Sequence, residues 1–116
     1  MLADQRTLPY LLNALKSQDH EIRLAAIKVL GENPNKEMIA ALLPELNDDH
    51  VLNKIAAVHA LGNCHDKAVI GPMMLLFDVD YPDLSKEIVL SLTALTGMNL
   101  GDDSNSWISW WKQKTN

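Results

Sequence analysis

The chain has 116 residues, 10 Lys and Arg against 15 Asp and Glu, a net charge of −5, and is 47% hydrophobic but only 5% aromatic. A chain of this length suits one domain that buries about two-thirds of its unfolded surface, and the single Cys64 excludes an internal disulfide. The acid excess and scattered basic residues exclude binding that depends on neutralising many phosphates; the apolar runs are too short to span a bilayer, and the expected setting is cytoplasmic.

Asp4 is placed to cap a first helix over 5–17, in which Leu8, Leu11, Leu12 and Leu15 recur at helical intervals. A turn at Ser17-Gln18-Asp19 leads to a helix over 20–31 with Ile22, Ala26, Ile27 and Leu30 on one side. Gly31 then stands where a left-handed residue can end it. The same order returns with a period of 31 residues. Asn35 caps 36–47 (Ile39, Leu42, Leu43, Leu46), Asp48-Asp49 turns the chain, and 50–62 carries Asn53, Ala57, Val58 and Leu61 before Gly62. Asp66 caps 67–78 (Ile70, Met73, Met74, Phe77), and Asp78-Val79-Asp80 leads to 82–96 (Leu84, Ile88, Val89, Leu92). Of these 24 column positions 23 are apolar, against 47% for the chain as a whole. Each unit is thus two antiparallel helices that cannot bury an apolar stripe alone, so the units must stack. They run at about 4–34, 35–65 and 66–97 of a single domain 1–116, with a C-terminal cap over 98–116.

The segments "LPYLLNALKSQDHEIRLAAIKVLG" (8–31) and "IAALLPELNDDHVLNKIAAVHALG" (39–62), with a weaker third copy from Ile70 to Leu92, resemble HEAT repeats of the kind found in small bacterial repeat proteins, including those of the lyase type. The resemblance covers about residues 4–97. It implies an all-α fold, a right-handed α-α superhelix (α-solenoid) of three helix pairs. HEAT-like units carry a Pro in the first helix, which Pro9, Pro44 and Pro72 supply. They also carry an Asp in the turn and an Arg early in the second helix, and these link neighbouring repeats. Asp19 with Arg23 match that pattern, which thins to Asp49 with Lys54 and Asp80 with Ser85.

The ending "LTALTGMNLGDDSNSWISWW" (92–111) is similar to that of such proteins. Gly97 and Gly101 break the chain, Asp103 or Ser104 can cap, and Trp107, Trp110 and Trp111 share one helical face at i, i+3, i+4. That face is expected to close the stack as a structural cap, received by the first helix of unit three, where Leu75 and Leu76 add to the apolar stripe. The alternative is an aromatic docking site for a partner.

Chemistry-bearing residues are few. Cys64-His65 offers half of a zinc site without a second pair at ligand spacing, and adjacent residues in a turn point their side chains apart, which disfavours a thiol nucleophile. The glycines stand singly at helix ends rather than in a phosphate loop. Asp48-Asp49 and Asp102-Asp103 stand where helices begin and read as caps. No catalytic residue, metal or cofactor is expected. Some HEAT-like proteins are DNA glycosylases and others attach chromophores, but the basic, aromatic inner face of the first is absent here.

Second helices line the inner surface of such stacks. Opposite the apolar stripe lie Leu24 and Lys28, then Leu52, Ile55, His59 and Asn63, then Lys86, Glu87 and Leu90. An apolar middle with charged edges fits a modest protein-binding patch. Alternatively, Asn53 in the stripe has turned its helix so that Leu52 or Ile55 packs inward. His59 reads as an ordinary surface residue rather than a pH switch. The function expected is a non-catalytic scaffold that binds another protein, with no nucleic acid or membrane, as a monomer or weak homodimer; the alternative is an accessory subunit or fragment of an enzyme assembly.

Overall fold

The computed structural model describes residues 7–78 and 80–115, and every regular element among them is helical. The α-helices are α1 (Leu8–Ala14), α2 (His20–Gly31), α3 (Lys36–Leu42), α4 (Val51–Gly62), α5 (Ile70–Met74), α6 (Pro82–Thr96) and α7 (Ser104–Thr115). Three antiparallel pairs, α1/α2, α3/α4 and α5/α6, stack as an α-solenoid along an axis of 42 Å, and α4 packs between α2 and α6.

Side-chain oxygens start several of these elements. Asp19 accepts from the Glu21 N–H, Asn35 from Met38 and Asp66 from Ala68. Asp4 lies outside the described residues. The first helix of each pair is shorter than its apolar spacing suggests. Pro44 has no N–H to give the Ala40 carbonyl and its ring crowds that group, so α3 stops at Leu42 and the chain continues as a 3-10 turn over Leu43–Asn47. In unit three a 3-10 turn over Lys67–Val69 precedes a short α5, and Pro72 sits in the first turn of α5, where an N–H is not needed.

The core follows the repeat columns. Ile27, Leu30, Leu46, Val58, Leu61, Met73, Leu84, Ile88 and Leu92 are fully buried and form one continuous cluster. Leu12 and Ile22 of unit one are exposed, although Met74 and Leu84 in the same columns are buried.

Gly31 and Gly62 do not adopt the left-handed conformation expected of them. They are the last helical residues of α2 and α4, and the left-handed glycines are Gly97, which ends α6 at φ 72°, and Gly101. Their role is close approach. A Cβ on Gly31 would lie 2.6 Å from the Cβ of Ala60, and one on Gly62 would lie 2.3 Å from the Ser91 hydroxyl. Ser91 in turn donates to the Val58 carbonyl at 3.1 Å, which ties α6 to α4. Neighbouring second helices therefore touch where neither leaves room for a side chain.

The junction between units one and two is polar. Arg23 donates from Nε to Asp48 at 2.9 Å, from a terminal nitrogen to both Asp48 and Asp49, and from the other to the Ser17 carbonyl at 2.8 Å. Asp48 also accepts from the His50 N–H and from the Asn53 amide, and that amide reaches the His20 carbonyl as well. The rings of His20 and His50 stack beside it with centroids 3.7 Å apart. Two expectations are corrected here. Asp48 is a buried link rather than a simple cap, and Asn53 is a buried hydrogen-bonding residue that has not turned its helix. Arg23 joins neighbouring repeats as the pattern implies, through Asp48 and Asp49. Among the described residues no ion pair joins Lys54 to unit three, and Ser85 instead bonds the Asp78 carbonyl.

Burial pushes the Asp48 carboxyl up. Hydrogen bonds from Arg23, the His50 N–H and Asn53, together with the Arg23 charge, outweigh that and hold it well below the usual carboxylate range. A group whose folded value lies below its unfolded one, about 3.9 for Asp, stabilises fully above that pH and loses the effect as pH falls through the folded value.

Two outcomes follow. Gly31→Ala destabilises the protein by about 1–3 kcal/mol through overpacking, more than the helix-propensity gain of ~1 kcal/mol at most. Adding Ala60→Gly then costs less than it does in the wild type, a coupling that urea melts of the four proteins measure. Asp48→Ala costs about 1–3 kcal/mol at pH 7 because it strands buried donors. Its gap to the wild type narrows below about pH 4, where the carboxylate begins to protonate in the unfolded chain. Asp49→Ala, at an exposed position, stays within ~0.5 kcal/mol in the same melts.

Candidate protein-binding surface

The second helices run parallel. His20 meets His50 near the start of α2 and α4, and Gly31 meets Ala60 near their ends. Their outward sides form a ridge, with an open groove of about 470 Å³ between α2 and α4. Seven of the nine residues expected at a contact patch line that groove: Leu24, Lys28, Leu52, Ile55, His59, Asn63 and Glu87. Gly31 and Ala60 line it too, which the anti-stripe pattern alone did not indicate; two small residues facing each other across neighbouring units are the signal that would have found them. Lys86 and Leu90 instead line a second groove of about 570 Å³ between α6 and α7, together with Phe77, Val89 and Ile108.

Leu52 is 64% exposed on the ridge and Leu90 57%, whereas Ile55 and Ala56 are half-buried and pack against the core. The contact patch and the packing role therefore divide between adjacent residues: Leu52 presents its side chain to solvent, and Ile55 belongs to both groove and core. On the far wall the His59 Nδ1 lies 3.4 Å from the Glu87 carboxylate, and the Asn63 amide donates to the His59 carbonyl at 3.1 Å.

The tryptophans of α7 lie at the other end of the molecule's repeat order. Trp107 is fully buried and donates from Nε1 to the Gly101 carbonyl at 3.2 Å. Trp110 meets it edge-on, and Lys114 lies over the Trp110 ring. Trp111 packs over Gly71, where an added Cβ would already be in contact at 3.4 Å. The surface expected to receive these rings is only partly used: Leu76 is half-buried, but Leu75 is 85% exposed. Gly71 lets the indole approach the backbone of α5, which removes the need for Leu75. Asp103 caps α7 by accepting from the Asn105 N–H, as its position suggests.

Burial pushes the Cys64 thiol up, away from the thiolate form a nucleophile needs, and the neighbouring His65 takes a left-handed backbone at φ 58°. Among the described residues no three His, Cys, Asp or Glu side chains lie together as a metal site, and no helix is long and apolar enough to cross a membrane.

A family model for HEAT repeats matches residues 8–93, which span all three helix pairs. No curated protein matches the chain.

Exposure and packing separate the two central ridge residues experimentally. Leu52→Ser leaves the unfolding free energy from urea melts within ~0.5 kcal/mol of the wild type, because its side chain already faces water. Ile55→Ser costs more than about 1 kcal/mol, because it removes core contacts and buries a hydroxyl.

Proposed function

The chain belongs to the HEAT-repeat family, whose units generally mediate contacts between proteins, and we propose that it is a non-catalytic scaffold that holds a partner protein along the ridge of α2, α4 and α6. One observation carries this reading. Leu52 projects into solvent above a half-buried floor of Leu24, Ile55 and Ala56, ringed by Lys28, Glu32, His59 and Glu87. An apolar centre with a polar rim is the anatomy of a contact site whose affinity comes from a few central side chains. The net charge of −5 favours a protein over nucleic acid as the partner.

Three helix pairs act as one domain in this proposal, and α7 closes it through Trp107, Trp110 and Trp111. Two of those rings touch the buried cluster at their edges while Trp107 enters it, an arrangement that stabilises a terminal unit. A lone, half-buried thiol suits a reducing, cytoplasmic setting.

The test is affinity capture from the source cell with three baits: wild type, Leu52→Glu, and Lys36→Glu at an exposed position in the first turn of α3. A partner retained by wild type and Lys36→Glu but lost by Leu52→Glu supports the ridge. Equal retention by all three places the contact elsewhere on the molecule.

A further inference from the structure

The groove on the ridge is electrically lopsided, and that identifies the chemistry of what it takes. Its apolar part, around Leu24, Leu52 and Ile55, lies nearer the start of α2 and α4. Its other end lies where both helices finish, at Gly31 and Gly62, followed by Glu32 and Asn63. Parallel helices bring their negative dipole ends together there, although the N–H groups of Glu32, Asn33, Asn63 and Cys64 already bond several of the last carbonyls. Glu87 adds a full charge at the same place. Its side chain is only 22% exposed, and among the described residues the polar side chain it meets is His59, at a long 3.4 Å and on an exposed ring. A contact that long leaves the carboxylate with lone pairs to accept shorter hydrogen bonds.

Asn63 shares this end of the groove. Its amide nitrogen is used by the His59 carbonyl, which leaves the amide oxygen as a second acceptor beside Glu87. Glu87 and Asn63 also line a small recess of about 160 Å³ that continues from the groove toward Ser91 and Ala94. Lys28, one turn before Glu32 on α2, repels a cation from the middle of the groove and so fixes which end receives it.

We infer that, if the ridge is the contact surface proposed above, the groove takes a short peptide segment that lays aliphatic side chains on Leu24, Leu52 and Ile55 and places an arginine at Glu87 and Asn63. Arginine fits better than lysine there, because its planar fork can donate to a carboxylate and an amide oxygen at once. The charge selects the partner, and the aliphatic contacts hold it.

Selection of a displayed library of short random peptides against the purified protein tests this, with binding of the enriched peptides then measured by fluorescence anisotropy. The expected consensus pairs aliphatic residues with Arg. The selected peptides weaken by roughly tenfold when that Arg becomes citrulline, which keeps the shape and loses the charge, and by a similar factor on Glu87→Gln. The citrulline comparison uses the unaltered protein, so it stands even if Glu87→Gln folds poorly. Peptides that need Leu52, by loss on Leu52→Ser, but show no cationic consensus and tolerate citrulline overturn this inference and leave the ridge proposal in place. Enriched peptides indifferent to Leu52→Ser overturn both. A library that yields no enriched peptide overturns the inference alone, the ridge then being judged by the capture of a folded partner.

Discussion

Everything outside the core takes its position from the distance at which neighbouring second helices touch. Gly31 against Ala60 and Gly62 against Ser91 bring α2, α4 and α6 to a separation at which a single added Cβ would overlap the next helix. Both contacts join residues 29 apart, so both set the same register. That register makes the ridge continuous, sinks Ile55 and Ala56 into a floor, and leaves Leu52 standing above it. Had the glycines carried side chains, the helices would splay and the groove would become part of a wider, flatter surface.

Equal geometry at the two junctions is reached by unequal chemistry. Between units one and two, Arg23, Asp48 and Asn53 form a buried polar cluster, with one cost left in view: the Asn53 Oδ1 is buried with no hydrogen-bond partner. Between units two and three the Asn53 column holds Leu84, Lys54 stands in the place of Arg23 without an ion pair to unit three among the described residues, and the polar contacts there include the Ser91 hydroxyl on the Val58 carbonyl and the long His59–Glu87 contact. Buried ion pairs add little over well-packed apolar side chains but are costly to break, so the first junction is more specific without being stronger.

The repeat was legible because stacking imposes one apolar pattern on each unit: Ile27, Val58 and Val89, or Leu30, Leu61 and Leu92, have the same neighbours in every pair. The ridge was legible as the complement of that pattern, which is why seven of nine expected residues meet in one groove. What escaped were properties that belong to two units at once. A glycine ending a helix has two possible reasons, a left-handed backbone or the absence of a Cβ, and Gly31 alone does not distinguish them. Reading it with Ala60, and Gly62 with Ser91, does, because the small residue recurs 29 positions later. Asp48 looked like half of an acidic pair until the unit before it supplied Arg23, and Leu75 looked like a seat for an indole until Gly71 offered a closer one. The shortening of α3 is local, written in Pro44, yet helical spacing on either side of that proline concealed it.

The placement of the indoles gives the molecule an optical polarity. All three tryptophans belong to α7, at one end of the stack, while the backbone signal of circular dichroism comes from every helix. Stacked repeats contact only their neighbours and can open from an end. Loss of α1 and α2 would therefore lower ellipticity with little change in Trp emission, whereas opening at α7 would do the reverse. A mismatch between the two signals during unfolding thus names the end that frays, and coincident signals mean that the junctions couple the whole stack into a single cooperative unit.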